Sequence, residues 1–159
     1  MEKVETKKGY TIEERLKYPV PYKWKIQSFN KAKTKATCVA YIDARDVMDL
    51  LDKAVGFNNW SDSYERDTNG RLSCTLKLRI NGEWISKEDV GVESDNEGEK
   101  GEFSDAFKRA AVKWGVGRFL YDMDIKYLDI KLNNGQKEYY YEGEKVNQFR
   151  LTEFFNRKK

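Results

Sequence analysis

The sequence predicts an α+β fold in which a three-stranded antiparallel meander is preceded and followed by helices. The first observation is a strict alternation of apolar and polar side chains from Arg71 to Ile80, which is typical of a strand with one buried face. The second is an Asn-Gly dipeptide on either side of this run, because Asn-Gly favours two-residue hairpin turns. The third is apolar spacing at i, i+3, i+4 and i+7 in two other segments, which predicts amphipathic helices.

The length of 159 residues corresponds to one ordinary domain, because compact domains most often have about 100 to 150 residues. Residues 1–22 are polar and are expected to form a loosely packed arm, with a short helix over Ile12 to Lys17. Residues 23–159 are then expected to form a single domain that ends in a hairpin region around Asn133 to Gly135. No apolar run approaches the roughly 20 residues that cross a bilayer, and the start lacks the apolar centre of a signal peptide. We therefore expect an intracellular protein with no membrane partner.

A β-prone run from Thr37 to Ile42 precedes the first long helix. Asp43 is a favoured N-cap residue, and Gly56 provides a stop after a helix that reaches about Ala54. One face of this helix is apolar: Val47, Leu50, Leu51 and Ala54. The three strands of the meander are expected next, over about Trp60 to Arg66, Arg71 to Ile80 and Glu83 to Val92.

The second long helix is expected to begin at Ser104, another N-cap residue, after an acidic loop from Glu93 to Gly101. Asp105 in its first turn would interact favourably with the helix dipole. Its apolar face consists of Phe107, Ala110, Ala111 and Trp114. Three cations lie on the opposite side: Lys108, Arg109 and Lys113. Three tryptophans are expected on buried faces: Trp60, Trp84 and Trp114.

The formal charge is +3 at pH 7, but the charges are unevenly distributed along the chain. Residues 22–42 contain five lysines and no acid, whereas residues 83–105 contain nine acids and two lysines. Cys38 and Cys74 are far apart and there is no histidine, which excludes a His-based catalytic triad and a Cys/His zinc site. No GxxxxGK[ST] phosphate-binding loop is present, so we expect neither ATP hydrolysis nor a cofactor.

Three basic segments set among aromatic residues favour nucleic-acid binding, because cations neutralise phosphates and aromatic rings stack on bases. They are the lysine arm from Lys23 to Lys35, the polar face of the central strand and the basic face of the second helix. Taken alone, each segment is better explained as a solvated surface than as a nucleic-acid-binding surface. Taken together, the three segments fit the two explanations equally well. Tyr41, at the end of a strand, fits either a core or a stacking position. The candidate cations are Lys31, Lys33, Lys35, Arg71, Lys77, Arg79, Lys108, Arg109 and Lys113.

Asp89, Glu93 and Asp95 are the candidates for catalysis, because clustered carboxylates can hold Mg²⁺ for phosphodiester cleavage. A glycine-bearing loop gives them no rigid framework, and solvated acidic loops are far commoner than metal sites. A Mg²⁺-dependent nuclease is therefore the less favoured alternative.

Five segments carry the pattern of a known family: residues 41–47 (YIDARDV), 56–60 (GFNNW), 88–91 (EDVG), 104–110 (SDAFKRA) and 114–115 (WG). In this order they resemble the annealing core of the Rad52/22 family of DNA single-strand annealing proteins. The resemblance covers about Lys25 to Asp122, some three fifths of the chain. The short length and the motif wording are closer to the phage and bacterial members than to the eukaryotic one.

The resemblance implies a β-β-β-α core, in which the meander packs on the long helix, and protomers that join edge to edge into a ring. It also implies a basic groove that holds single-stranded DNA by its phosphates, with the bases exposed and no nucleotide hydrolysed. It aligns Lys108 and Arg109 with a basic pair that faces this groove, and Tyr41 with a tyrosine that lines it. Lys31 falls at a basic position upstream of that tyrosine. Val112 departs from the pattern, because the eukaryotic protein is basic there.

The sequence thus predicts a non-enzymatic protein that binds and anneals single-stranded DNA in homologous recombination and repair, as a homo-oligomeric ring or arc in a bacterial cell. Candidate further partners are a single-strand-binding protein and an exonuclease. A second, outer DNA site rests on strand parity alone, which selects Arg71, Lys77 and Arg79. Two alternatives remain, namely the Mg²⁺-dependent nuclease and a monomeric module that protects single strands without annealing them.

Overall fold

The strands of the chain form two separate antiparallel sheets in the computed structural model, which describes residues 9–92 and 98–158. Each sheet belongs to its own compact unit. The first unit consists of the chain up to Pro21 together with Ile42 to Phe119. The second unit consists of Tyr22 to Tyr41 together with the residues from Leu120 onward. The sequence-based division into an arm, residues 1–22, and a single domain, residues 23–159, stays a prediction.

The elements of the described residues follow one another as α1 (Ile12–Leu16), β1 (Lys23–Phe29), β2 (Lys35–Tyr41), α2 (Ala44–Val55), β3 (Trp60–Arg66), β4 (Leu72–Ile80), β5 (Glu83–Val90), α3 (Gly98–Lys113), β6 (Lys126–Asn133), β7 (Gln136–Tyr141), β8 (Glu144–Val146) and α4 (Leu151–Arg157). A short 3₁₀ helix, Arg118–Asp122, lies between α3 and β6. None of the described helices is both long enough and apolar enough to cross a membrane.

The predicted three-stranded antiparallel meander is confirmed in the first unit, where the strand order is β3-β4-β5. Ile80 pairs with Glu83 across the second turn, and Asn81 and Gly82 both have positive φ, at 52° and 83°. A two-residue hairpin turn with these angles matches the twist of the strands, which explains why this Asn-Gly dipeptide was informative. Asn69-Gly70 does not form such a turn, because the five residues 67–71 separate the paired Arg66 and Leu72.

The alternation along β4 separates a buried face from an exposed one, as predicted. Four residues of the buried face are at most 2% exposed: Leu72, Cys74, Leu76 and Leu78. Helix α3 packs on this side of the sheet, against both β4 and β5. The Trp114 indole Nε1 donates a hydrogen bond to the Leu76 carbonyl oxygen at 3.1 Å, so the end of the helix is anchored to the central strand.

Helix α3 begins at Gly98, and the predicted start at Ser104 is therefore wrong. Of the predicted acidic loop, residues 93–97 lie outside the described residues, and the rest is helical. The extra turns are held by tertiary contacts, because the Phe103 ring packs on Tyr64 and the Glu102 carboxylate is buried 2.7 Å from Arg66 Nη1. Asp105 does not act at the helix start; its carboxylate accepts a hydrogen bond from the Val92 amide at 2.9 Å.

The prediction for the first long helix is confirmed, since α2 follows Asp43 and ends before Gly56, whose φ is 96°. All four residues of its predicted apolar face are buried. The short helix α1 also forms, with a capping box between Thr11 and Glu14. The expectation that this segment packs loosely is wrong, because Leu16 and Val20 are each only 3% exposed.

The second unit contains a five-stranded sheet of order β1-β2-β6-β7-β8 that the sequence did not predict. Only two of its parts were foreseen: the β-prone run that forms β2, and the hairpin between β6 and β7. That hairpin turns at Asn134 and Gly135, which both have positive φ. Antiparallel pairing of β2 with β6 connects these two parts, and it places Ala36 opposite Leu128.

Helix α4 covers one face of the five-stranded sheet. The centroids of the Trp24 and Phe155 rings are 5.1 Å apart, and Tyr141 contacts Phe154 and Phe155 edge to face. Trp24 is 6% exposed, so this residue belongs to the core although its neighbours in sequence are lysines. This aromatic packing gives the second unit a core of its own.

Both cysteines are free and 0% exposed, and burial raises the pKa of each thiol to about 11. A thiolate is the reactive form, and a rise of about two pKa units lowers its population roughly a hundredfold. We therefore expect Cys38 and Cys74 to react with a neutral thiol reagent at least about a hundredfold more slowly in native protein than in urea-unfolded protein. Two equivalents of rapid labelling in native buffer would contradict the burial of these residues.

Candidate nucleic-acid interface

The predicted cations of α3 lie outside the side of the helix that packs on the three-stranded sheet, and the Lys113 ammonium donates a hydrogen bond to the Glu88 carbonyl oxygen of β5. Arg109 and Lys113 are exposed, whereas Lys108 is half-buried and its ammonium group donates to the Ile42 carbonyl oxygen at 3.2 Å. On the other side, Phe107 is 3% and Ala110 0% exposed. Lys108 therefore lies next to the start of α2, whereas Arg109 and Lys113 lie next to β5. That the three cations form one binding face stays a prediction.

The contacts of Arg109 leave its guanidinium group able to bind an anion. Arg109 Nε lies 3.8 Å from Asp89 Oδ1, and the Arg109 side chain is 46% exposed. An ion pair of this length and exposure contributes less than about 1 kcal/mol, because water screens the two charges. A phosphate can replace it, since the planar guanidinium group offers five N–H donors.

The end of α3 carries two further cations that the sequence analysis did not single out. Lys87 donates to the Lys113 carbonyl oxygen at 3.3 Å and its ammonium lies 4.7 Å from the centre of the Trp114 ring. Arg118 Nη2 donates to the carbonyl oxygens of Val112 and Lys113 at 2.9 and 3.0 Å. The helix dipole favours cations at a helix C-terminus. Stabilisation of α3 is therefore one reason for Lys87 and Arg118 to lie here, apart from any role in DNA binding.

The outward face of the three-stranded sheet carries the second predicted group of cations, on the side opposite α3. Arg79 donates from Nε to Asn59 Oδ1 at 2.8 Å, and Arg71 Nε lies 4.0 Å from Asp67 Oδ2. Lys77 is exposed between two serines, Ser61 and Ser86, on the neighbouring strands. The parity of β4 was therefore read correctly, but the structure does not bring this group together with the cations of α3.

Trp84 was expected on a buried face, and this prediction is wrong: the side chain is 48% exposed. The two-residue turn pairs Arg79 with Trp84, so both side chains point to the same outward face. The Arg79 guanidinium carbon lies 5.6 Å from the centre of the Trp84 ring. The signal was present in the sequence, because the length of the Asn-Gly turn determines which residues of β4 and β5 share a face. The two other tryptophans, Trp60 and Trp114, do pack against the core.

Lys31, Lys33 and Lys35 lie in the second unit, in and beside the turn that joins β1 to β2, and all three are exposed. The turn is organised by Asn30, whose side-chain oxygen accepts hydrogen bonds from the Thr34 and Lys35 amides at 2.8 and 3.0 Å. The tip of this hairpin therefore presents three cations on a defined backbone.

Tyr41 ends β2 and is half-buried. The Lys25 ammonium lies 4.7 Å from the centre of the Tyr41 ring, on the sheet face opposite α4. A lysine next to an exposed part of a tyrosine ring can contact a phosphate while the ring contacts a base or sugar.

Residues 9–92 and 98–158 contain no group of three or more Cys, Asp or Glu side chains that could hold a metal ion. Of the three carboxylates considered for a nuclease, Asp89 lies in β5 next to Arg109, whereas Glu93 and Asp95 fall outside the described residues. The described surface is instead one of cations set beside aromatic rings, an arrangement typical of proteins that bind nucleic-acid strands.

Comparison with known proteins identifies the family. A family model described as Rad52/22 family double-strand break repair protein matches residues 10–139. The chain belongs to this family. The resemblance on the five sequence segments is thereby confirmed, and the match reaches from α1 into β7.

Two curated relatives are both named single-stranded DNA-binding protein DdrA. The one from Deinococcus radiodurans is 37% identical over 123 residues, which is 74% of this chain and 58% of the relative. The one from Deinococcus deserti is 37% identical over 132 residues, which is 80% of this chain and 64% of the relative. The chain thus spans less than two thirds of the length of these relatives. No solved structure matches the chain significantly.

Proposed function

We propose that this protein binds single-stranded DNA and anneals complementary strands without ATP, in recombination and repair of double-strand breaks. The observation that carries the proposal is the set of cations on α3, of which Arg109 and Lys113 are exposed and Lys108 is half-buried, in a chain of the Rad52/22 family. Two relatives named for single-stranded DNA binding support the same substrate. No residue acts as a catalyst in this proposal.

Annealing needs only two physical effects from the protein. Neutralising phosphates lowers the repulsion between two polyanions, and holding a strand in an ordered form lowers the entropy cost of starting a duplex. In this proposal Lys108, Arg109 and Lys113 contact phosphates from α3. Lys31, Lys33, Lys35 and Tyr41 form a DNA-contacting surface of the second unit, and Arg71, Lys77 and Arg79 form an outer surface of the first unit.

The ring or arc remains part of the proposal. The outer edges of β3 and β5 are not paired with another strand among the described residues, so the three-stranded sheet offers two edges for a neighbouring copy. The acidic residues 83–105 and the cations of α3 are also complementary in charge. Light scattering on the purified chain measures the number of subunits, and a monomer at every concentration would contradict the assembly.

The annealing test follows two complementary strands that carry a donor and an acceptor dye, in EDTA and without ATP. We expect the pairing rate to rise well above the spontaneous rate as protein is added, whereas non-complementary strands give no signal. Tight binding of each strand without faster pairing would favour a protective binding module, for which the names of the two relatives are the supporting observation. Shortening of the strands on addition of Mg²⁺ would instead favour the nuclease.

Binding to phosphates predicts a strong dependence on salt. The logarithm of the association constant is expected to fall by about 0.7 per log unit of salt for each phosphate neutralised on a single strand. The three cations of α3 alone then give a slope of about −2, and Lys113→Ala is expected to reduce the slope by about 0.7. Fluorescence anisotropy at several NaCl concentrations measures both slopes, and a flat dependence would contradict a phosphate groove.

A further inference from the structure

The uncovered face of the five-stranded sheet carries a second set of aromatic and basic side chains. Side chains alternate between the two faces along β2. Ala36 and Cys38 are buried on the side that α4 covers, whereas Lys35 and Tyr41 lie on the opposite side. Tyr127 lies opposite Thr37 on this outward side and is 58% exposed. The side that α4 does not cover is therefore open at its centre.

Three tyrosines cross this face diagonally, one on each of three adjacent strands: Tyr41 on β2, Tyr127 on β6 and Tyr140 on β7. The register places Tyr127 opposite Thr37 and Tyr140 opposite Asp129, which itself lies opposite Lys35. With a rise of about 3.4 Å per residue and about 4.8 Å between strands, Tyr127 lies roughly 14 Å from Tyr41 and roughly 8 Å from Tyr140. The shorter step is comparable to the spacing of neighbouring bases in an extended single strand, and the longer step spans about two nucleotides.

Two of these rings are each in direct contact with a lysine. The Lys25 ammonium lies 4.7 Å from the Tyr41 ring centre, and the Lys131 ammonium lies 4.6 Å from the Tyr140 ring centre. The Tyr140 hydroxyl donates to Glu138 at 2.7 Å, which holds this ring in place on the sheet. Two more lysines share the face, because Lys35 and Lys145 align with Tyr140 across the strands.

The charge and shape of this face select its occupant. Four lysines (Lys25, Lys35, Lys131 and Lys145) outnumber the two acids of the same strands, Asp129 and Glu138, so a polyanion is favoured. Tyr127 is 58% exposed and Tyr41 and Tyr140 are half-buried, and aromatic rings suit a partner with flat apolar faces. A single-stranded nucleic acid combines such faces with negative charge. A duplex does not, because its base faces are already stacked.

We propose that the outward face of the five-stranded sheet is a base-stacking surface for single-stranded DNA, with Tyr127 and Tyr140 as its contact rings alongside Tyr41. This inference rests on the proposed function and adds to it a second kind of contact, made to bases and not to phosphates. A base that stacks by its face keeps its pairing edge open, so such a surface is compatible with annealing. Neighbouring lysines bind the phosphates between the stacked bases.

The test separates base contacts from phosphate contacts with two probes of equal charge: a 20-nucleotide oligothymidylate, and a strand of 20 abasic units. Stacking on an aromatic side chain is worth roughly 5- to 150-fold in affinity per base by alanine substitution. We expect Tyr127→Ala to weaken binding of oligothymidylate at least about fivefold, and Tyr127→Ala with Tyr140→Ala further. Binding of the abasic strand is expected to stay unchanged in both variants.

Matched variants control for the fold and for the ring. Tyr127→Phe with Tyr140→Phe keeps both rings and is expected to bind like the natural chain. Phe149→Ala removes an 86% exposed ring from the turn before α4 and is also expected to have no effect. Photo-crosslinking of the natural chain to 5-iododeoxyuridine strands is expected to label Tyr127 or Tyr140.

The outcomes are distinguishable. Equal weakening on both probes, or unchanged binding of oligothymidylate by Tyr127→Ala, would overturn the stacking surface while leaving DNA binding intact. Crosslinks confined to residues away from this face would do the same. If the natural chain binds neither probe, the proposed function itself fails.

Discussion

Replacing Lys108 and Arg109 together by glutamate is expected to abolish binding of single-stranded DNA. The two changes remove two cations from α3 and introduce two anions at the same positions. Each charge-assisted hydrogen bond to a phosphate is worth about 1.5 to 3 kcal/mol, so losing two weakens binding at least roughly a hundredfold, before the added repulsion is counted. Fluorescence anisotropy with a labelled 20-nucleotide strand measures the change.

The structure indicates which controls this experiment needs. Glutamate at position 109 would face Asp89, which lies 3.8 Å from the present guanidinium, so the neutral pair Lys108→Gln and Arg109→Gln tests the charges without that repulsion. The matched control is Arg45→Glu with Lys53→Glu, which makes the same charge change on α2 of the same unit. If the control weakens binding as much as the double reversal on α3, the effect is one of net charge and the site assignment is wrong. Thermal unfolding of each variant confirms that the fold is retained.

Gly91→Ala is expected to destabilise the first unit by about 3 kcal/mol or more, because the added methyl group has no space. A Cβ atom at position 91 would lie 2.5 Å from the Glu102 carbonyl oxygen and 2.7 Å from the Ala106 amide nitrogen. Both are backbone atoms of α3, so relief requires the whole helix to move away from the end of β5. Urea unfolding followed by circular dichroism measures the free energy.

The control for this prediction is the next residue along the chain. Val92 is 65% exposed, and Val92→Ala leaves its backbone hydrogen bond to Asp105 in place, so we expect a change within about 0.5 kcal/mol. Removing the Ala106 methyl group with Ala106→Gly is not expected to rescue Gly91→Ala, because the two backbone contacts remain. A free energy of unfolding for Gly91→Ala equal to that of the natural chain would show that α3 does not pack this closely on the sheet.

Local patterns predicted the parts of the structure that depend on neighbours in sequence. The meander follows from the alternation along β4 and from the Asn-Gly turn after it, which places Asn81 and Gly82 at positive φ. Helix α2 follows from its stop at Gly56 and its four-residue apolar face, whereas Asp43 at the N-cap position makes no side-chain capping hydrogen bond. Helical spacing keeps Lys108, Arg109 and Lys113 off the apolar side of α3.

The errors arose where a long-range contact or an inter-strand register decides the outcome. Helix α3 starts before its N-cap signal because Glu102 and Phe103 find partners on β3, namely Arg66 and Tyr64. Trp84 is exposed because its position opposite Arg79 depends on the register of two strands and not on its own hydrophobicity.

The sequence by itself determined the family, the meander, both long helices and the identity of the cations, since each of these depends on spacing within a short segment. Only the tertiary structure decided that β2 pairs with β6, almost 90 residues further along the chain, and that the resulting sheet turns Tyr127 and Tyr140 outward beside Tyr41. The physical reason is that the register of distant strands is set by the burial of one whole face under α4, with Trp24 and Phe155 at its centre. The alternation of Leu128, Ile130 and Leu132 with polar residues indicates that β6 is a strand, but it does not specify which distant strand pairs with it.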